Sequence, residues 1–345
     1  MSIKKILVTG GSGFIGTNLV KFLINKNIEI HNIDKISYSS VPNKFTNFRK
    51  KKYFFYKTNL SKINKIKKIL LKVKPEIIIN LAADSHVDRS IDSPVRFVKN
   101  NIISCLNLLE TLKKNKKKIK LKKFIHISTD EVFGGDNKLP SKENDKYETN
   151  SPYSASKAGC DFLCRAFYKT YKIPIIVLRC CNNFGPFQFT EKFIPTIISK
   201  YINKETIPLY GSGKNIREWI YVEDFCAAIF KILNKGKIGE TYNIGSNERI
   251  NNVNILKIIL DIISRNLNNN NHHYPVIKKV IDRPGHDFIY QINSNKVRNE
   301  FNWKNNYNLK EGLKKTILWY LQNKSWLNHC KKVYKGNRQG LLKND

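Results

Sequence analysis

The sequence predicts an α/β fold: a doubly wound parallel sheet followed by a smaller, mixed α/β region. Three observations point there. Short runs of Ile, Val and Leu alternate with longer amphipathic stretches through the first half of the chain. Such near-continuous apolar runs suit strands buried on both faces by crossover helices. The first run ends in a glycine cluster, TGGSGFIG, and the second ends in an acid, Asp34.

The elements follow in order. The strands are expected at KILVTG (5–10), EIHNID (29–34), YFFYKTNL (53–60), EIIINLAA (76–83), KFIHIST (123–129) and PIIVLRCC (174–181). Helical stretches fall between most of them. After about residue 184, prolines, loops and isolated aromatic residues break the alternation, and helices are expected near 253–265 and 309–322. The segment REWIYVEDFCAAIFKIL (217–233) carries enough apolar periodicity to return to the first domain. The expected division is a dinucleotide-binding domain over 1–183 with 217–245 returning to it, a substrate domain over 184–335, and a tail over 336–345. The tail has little to bury and is expected to fray. NLNNNNHH (266–273) reads as a surface loop.

Composition narrows the class. At 345 residues and 41% hydrophobic content, the chain can bury a sizeable core. There is no apolar run long enough to span a membrane. The opening MSIKKILVTGG goes straight into a strand and lacks the features of a secretory signal. The seven cysteines, Cys105, Cys160, Cys164, Cys180, Cys181, Cys226 and Cys330, show neither C-x-x-C nor zinc-finger spacing. Reduced thiols, a cytoplasmic setting and no metal are expected. The formal charge is +35, from 62 Lys+Arg against 27 Asp+Glu. Such a field attracts polyanions. The densest run, KKNKKKIKLKK (113–123), could be a nucleic-acid patch or a solvated helix end, where cations favour the negative pole of the dipole. Lysines are spread over the whole chain and no nucleic-acid module pattern occurs, so no nucleic-acid partner is expected.

Chemistry concentrates at two places. In TGGSGFIG, Gly10, Gly13 and Gly16 permit a tight turn and let backbone N–H groups approach a pyrophosphate at a helix N-terminus. Asp34 ends the next strand. It can accept hydrogen bonds from an adenosine ribose, and its charge would repel a 2′-phosphate, which favours NAD over NADP. Lys35 beside it pulls the other way. The second place is YSASK. Tyr153 and Lys157 stand one helical turn apart and share a face. An ammonium beside a phenol stabilises the phenolate, and such a tyrosine can take a proton from a sugar hydroxyl while its carbon gives up hydride.

These motifs, with NLAADSHVDRSI (80–91), STDEVFG (128–134), PYSASKAG (152–159), RCCNNFGPFQFTEKFIP (179–195), YGSGKNIREWIYVED (210–224), GETYNIG (239–245) and DRPGHD (282–287), resemble the extended short-chain dehydrogenase/reductases that act on nucleotide sugars. More narrowly the chain resembles the dTDP-glucose 4,6-dehydratase family, with UDP-glucose 4,6-dehydratases as close relatives. The matches occur in family order over most of the chain. The resemblance implies a Rossmann-type fold, bound NAD, a homodimer, and a hydro-lyase feeding deoxysugar synthesis such as that of rhamnose. It implies oxidation at C4, loss of the C5 proton and the C6 hydroxyl as water, and return of hydride to C6. Tyr153 would be the base for C4, Glu131 the base at C5 and Asp130 the acid at C6, with Thr129 bonding the C4 oxygen. The paired acids then have a physical purpose, since two neighbouring carboxyls split into one ionised and one protonated group. A loop after the strand is expected to aim both into one cleft.

The resemblance also places Phe14, Ile15, Asp34, Lys35, Asn59, Leu60, Leu81, Ala82, Ala83, Asn100 and Asn183 along the cofactor. It places Ser85, Asn182, Lys192, Tyr210, Arg217, Asn251 and His286 along the nucleotide sugar. Several positions depart from the family. Asn59-Leu60 replaces Asp-Ile, Phe133 replaces a tyrosine, Cys105 replaces threonine, and DRPGHD continues as FIYQIN in place of RRYAID. The last change removes two arginines from the expected nucleotide side and leaves dTDP and UDP both open as carriers. The competing readings are a 4-epimerase or decarboxylase, which the Asp130-Glu131 pair disfavours, and a non-catalytic NAD-binding protein associated with nucleic acid. Intact Thr129, Tyr153 and Lys157 disfavour the latter.

Overall fold

The computed structural model describes residues 3–46, 48, 52–135, 138–266, 275–334, 336 and 339–341. Six parallel strands appear where the apolar runs lie: β1 (Lys5–Thr9), β2 (Glu29–Asp34), β3 (Tyr53–Lys57), β4 (Ile77–Asn80), β5 (Lys123–Thr129) and β6 (Ile175–Cys180). Beyond them come β7 (Asn182–Phe184), β8 (Ile207–Tyr210), β9 (Ile216–Tyr221), β10 (Thr241–Ile244), β11 (Arg249–Asn251) and β12 (Ile277–Val280). The main sheet runs β10-β6-β5-β4-β1-β2-β3, with every pair parallel. The strand order reverses between β1 and β4. In such sheets the crevice beyond the strand carboxyl ends at that point receives a ligand.

The period of two explains why these runs are strands. Ile6, Val8, Ile77, Ile79, Ile125, Ile127, Ile176 and Leu178 pack on one face with Leu19, Val20 and Leu23 of helix Phe14–Ile24. Leu7, Ile78, Phe124, Ile175 and Val177 pack on the other with Leu108, Leu112, Cys164 and Phe167 of helices Ser104–Lys114 and Pro152–Tyr171. Each such side chain contributes roughly 1.5–3 kcal/mol when fully buried. Helix Val222–Lys235 joins the first face through Phe225, Ile229 and Ile232, and β10 extends the sheet beside β6. β9 itself lies in a separate sheet ordered β11-β9-β7, and β8 pairs with β12.

A second core gathers Phe184, Ile194, Ile198, Tyr201, Trp219, Ile255, Ile259, Leu313, Ile317 and Trp326. The helices expected near 253–265 and 309–322 are Asn252–Asn266 and Leu309–Gln322. Helices Phe193–Ile202 and Lys324–Val333 were not anticipated. The tail differs from expectation at one point, because the Gly340 N–H donates to Asp92 Oδ2 at 2.9 Å and Gly340 packs on Asp88. The remainder of the tail, 337–338 and 342–345, and 267–273 of the Asn-rich loop lie outside the described residues.

Candidate active site

The first turn after β1 is a main-chain cradle. Gly10 has φ of +72°, and a Cβ there would sit 2.7 Å from the Ala82 nitrogen. A Cβ on Gly16 would fall 2.2 Å from the Gly10 carbonyl oxygen. A Cβ on Gly13 would meet only the Gly10 carbonyl oxygen, at an ordinary contact of 3.4 Å. Helix Phe14–Ile24 starts there with no side-chain cap and no acid in its first turn. Its leading N–H groups and positive dipole end are left for an anion. The Asp34 carboxylate accepts from the Ser12 N–H at 3.0 Å and the Ile36 N–H at 2.8 Å. Each oxygen retains a further acceptor position for a ribose hydroxyl. Burial pushes its pKa up, while those two N–H groups pull it back.

The chemical groups come from β5 and the helix beside it. Ser151 and Ser154 form a reciprocal cap, and Pro152 opens helix Pro152–Tyr171. This fixes the start of the helix and sets Tyr153 in its first turn, near the positive dipole end. The Lys157 ammonium donates to the Ile127 carbonyl at 2.6 Å. Tyr153 departs from expectation. Burial, then Glu131, holds its pKa well above the usual phenol value, and only the Thr129 hydroxyl among its closest neighbours favours the phenolate. The Lys157 ammonium is anchored to the main chain at Ile127.

After Thr129 the chain enters a single 3₁₀ turn, Asp130–Phe133, capped by the Thr129 hydroxyl. Three residues per turn place successive side chains about a third of a turn apart. The two acids therefore cannot face the same wall. Glu131 lines the cavity and Asp130 does not. Asp130 is 2% exposed, receives the Thr129 hydroxyl at 3.1 Å, and its Oδ2 has no hydrogen-bond partner among the described residues. The expectation that both acids open into one cleft is corrected accordingly.

Their electrostatics differ as well. Burial, then Glu131 and Glu218, pushes the Asp130 pKa well up and favours the neutral acid. Burial also raises Glu131, but Arg283, Lys192 and Arg217 pull it back toward the carboxylate.

One cavity of about 730 Å³ joins these parts. Gly10, Gly13, Phe14, Ile15, Gly16, Asp34, Lys35, Asn59, Leu60, Leu81, Ala82, Ala83, Asn100, Tyr153, Lys157 and Asn183 all line it. So do Ser85, Thr129, Asn182, Lys192, Tyr210, Arg217 and His286. Asn251 does not, because its Oδ1 accepts from the Asn254 N–H at 2.8 Å and starts the next helix, while neighbouring Asn252 reaches the wall. The residues fit a dinucleotide: the cradle leaves no room for a Cβ at Gly10 or Gly16, and the buried Asn183 Oδ1 lacks a partner among the described residues at the cavity wall. Asn100 lies in a π-helical turn, Val98–Ile103, a distortion that often marks functional sites.

Several lining residues were missed, among them Arg283, Tyr290 and Glu191. Arg283 sits inside the quoted DRPGHD motif, pairs with Asp88 at 3.0 Å, and keeps its Nε unpartnered among the described residues. Tyr290 donates to Asp287 and lies 3.5 Å from Glu131 Oε2. Glu191 accepts from Tyr38 at 2.8 Å and Arg89 at 3.0 Å. The signal for the first was a guanidinium beside an already chosen histidine. That histidine, His286, bridges Asp282 at 2.6 Å and Arg217 at 2.8 Å. Burial and the two arginines push its pKa down to about 4, so it is neutral and orients Arg217. By contrast Phe288, where the family arginine was expected, is 53% exposed and absent from the cavity wall.

A dinucleotide cradle opening onto a buried Tyr–Lys helix defines an extended short-chain dehydrogenase/reductase. The model of the family described as GDP-mannose 4,6 dehydratase matches residues 7–316. A dTDP-glucose 4,6-dehydratase of Escherichia coli is 39% identical over 98% of this chain and 99% of its own. One from Xanthomonas campestris is 38% identical over 93% and 94%. The solved dTDP-glucose 4,6-dehydratase of Streptomyces venezuelae, with NAD bound, superposes with a TM-score of 0.86 at 32% identity, covering 93% of this chain and 98% of that one. This chain belongs to the dTDP-glucose 4,6-dehydratase family.

Proposed function

We propose that the chain is an NAD-dependent nucleoside-diphosphate-glucose 4,6-dehydratase, a hydro-lyase converting dTDP-glucose or UDP-glucose to the 4-keto-6-deoxy sugar. One observation carries this reading: a single cavity joins the glycine cradle to Thr129, Glu131 and Tyr153 and to the cations Lys192, Arg217 and Arg283. NAD, when bound, supplies a reusable hydride store and a positive ring beside Tyr153. The remaining work falls to the chain. Tyr153 takes the C4 hydroxyl proton, helped by its place at the helix start and by the Thr129 hydroxyl. Glu131 removes the C5 proton: burial makes it basic, and the three cations keep it ionised. Asp130, held neutral beneath the wall, gives its proton to the departing C6 hydroxyl after its side chain turns toward the sugar. Lys192, Arg217 and Arg283 bind the diphosphate, where guanidinium groups suit a bidentate partner.

The second core supports a substrate domain drawn mostly from 184–221, 250–263 and 309–330, while helix Val222–Lys235, β10 and Ile292, Val297, Phe301 and Trp303 pack on the first core. Val95 on the short helix Pro94–Phe97, Val98 and Ile103 on the π-helical turn that follows it, and Phe162 on helix Pro152–Tyr171 are exposed apolar positions, Val95 at 64% exposure. They support pairing with a second copy of the chain. All seven cysteines are buried and unbridged, which supports a reducing, cytoplasmic setting. No helix among the described residues is long and apolar enough to cross a membrane.

The test is incubation of the purified protein with dTDP-glucose and UDP-glucose separately. A 4-keto-6-deoxy product from either supports the reading, and the preferred substrate identifies the carrier. A C4 epimer that keeps its C6 hydroxyl would replace dehydratase by epimerase.

A further inference from the structure

Two opposed signals stand side by side at the end of β2. Asp34 is an acid that suits an unmodified adenosine ribose, and Lys35 beside it is a cation of the kind that receives a 2′-phosphate. The fold decides between them by where the cation goes. The Lys35 ammonium donates to Asp84 Oδ1 at 3.2 Å. Asp84 stands four residues past the end of β4, and β1 lies between β4 and β2 in the sheet. The Lys35 side chain therefore crosses the end of β1, where the glycine turn begins, and is held on the far side of the crevice. Asp34 takes no part in this pair, because its two oxygens accept from the Ser12 and Ile36 N–H groups.

Asp84 is itself fixed in place. Asn101, buried in the π-helical turn, accepts the Asp84 N–H at 2.8 Å and donates to its carbonyl at 3.0 Å. The same amide also donates to the Ser156 hydroxyl at 2.8 Å. Asp84 Oδ2 accepts from Asn100 Nδ2 and Arg96 Nε, both at 2.8 Å, which leaves Oδ1 for Lys35. Burial works against the charged form, but Lys35, Arg96 and Asn100 hold the Asp84 pKa below the ordinary carboxylate value. Lys35, Asp84 and Asn100 all line the cavity, and no step of the reaction uses Asp84. We propose that Asp84 is a determinant of cofactor selectivity: by holding the Lys35 ammonium across the crevice, it withholds from a 2′-phosphate the cation beside Asp34, so that the chain takes NAD and refuses NADP. Selectivity then has two parts. Asp34 repels the phosphate, and Asp84 removes its counter-charge. The partner of Lys35 lies 49 residues along the chain, so the local sequence conceals the arrangement. The inference rests on reading the cavity as a dinucleotide site.

The full chain, freed of copurifying nucleotide, is titrated separately with NAD and NADP and followed by tryptophan fluorescence. In Asp84→Asn the ratio of the two dissociation constants should move toward NADP about tenfold, the worth of one hydrogen bond to a charged group. Adding Lys35→Ala to that variant should remove the shift. A purely structural role for Asp84 would weaken both nucleotides alike and leave the ratio at its wild-type value, which overturns the proposal. A shift that survives Lys35→Ala overturns it too. Should Asp84→Asn not fold, Lys35→Ala alone decides: an unchanged ratio supports the proposal, and NADP weakened relative to NAD overturns it, because the cation would then already serve the phosphate. Wild type that binds neither nucleotide would overturn the dinucleotide reading itself, and the proposal with it.

Discussion

At the cofactor end of the cavity, main-chain groups of Gly10 to Gly16 and small residues such as Ala82 form the wall. At the substrate end, long charged side chains from separated segments converge: Lys192, Arg217, Arg283 and His286 around Glu131. The first end is built around one strand–turn–helix, and the ends of β2, β3 and β4 add Asp34, Asn59 and Ala82 to it. The second exists only once the smaller core has brought β9 and the 282–290 loop against β5. The difference separates two kinds of failure, loss of a shape and loss of a charge arrangement.

The largest effect is expected at the charged end. Glu131→Gln keeps the size of the side chain and removes the base. Turnover should fall by roughly 10²–10⁴, the usual worth of general-base catalysis, while NAD affinity stays near wild type in a fluorescence titration. Equal loss of NAD binding would mean that the two ends are not separable. The counterpart at the other end is Gly16→Ala. Its Cβ would overlap the Gly10 carbonyl oxygen at 2.2 Å, and the backbone has to move. Overpacking of that kind costs about 1–3 kcal/mol, so NAD should bind roughly 10–100-fold more weakly. Unchanged NAD affinity would show that the cradle is not where the dinucleotide sits.

The same contrast governs what could be read in advance. Six strands and the cradle were legible because period-two apolar runs and a glycine turn are local signals. Thr129, Tyr153 and Lys157 were legible as motif members on a predictable strand end and helix. Arg283, Tyr290 and Glu191 were not, although all lie in or beside quoted motifs, because their value depends on which segments meet. Asp130 was placed in the right motif and given the wrong outlook, since a 3₁₀ turn cannot be told from an open loop in seven residues. Asn251 was lost to a local rule, because its side chain is used to start a helix. Lys157 is tied to the Ile127 carbonyl, a main-chain partner that no side-chain pattern announces.

A smaller effect concerns the charged end as a source of acid sensitivity. His286 is pushed down to about 4 in the folded chain, against roughly 6.5 in the unfolded one. Above the unfolded value both states hold a neutral ring, and its contribution is fully present. As pH falls from about 6.5 toward 4, the unfolded chain gains a proton that the folded one refuses, so stability is lost across that window, by up to roughly 3 kcal/mol. His86 is also pushed down to about 4, by burial and Lys192, and adds a similar share. Buried His126 is pushed well down too, and His31 is lowered by burial. In urea unfolding at pH 7 and pH 5, His286→Asn should therefore retain roughly two thirds or more of the wild-type decline. An undiminished decline would assign the sensitivity elsewhere.

The smallest effect tests whether the missing arginines matter. Phe288 occupies the first of the two positions where relatives carry arginine, and its loss seemed to weaken the nucleotide side. Yet Phe288 is 53% exposed and off the cavity wall, and only its carbonyl is used, accepting from Arg217 at 3.2 Å. The backbone at 288 thus orients a cavity residue whatever side chain it bears. Phe288→Arg should leave KM and kcat for both nucleotide sugars within about twofold, as expected of an exposed substitution. A several-fold gain for one nucleotide alone would mean that side chains beyond the wall reach the ligand. The substrate end would then extend further from the cradle than the resting cavity indicates.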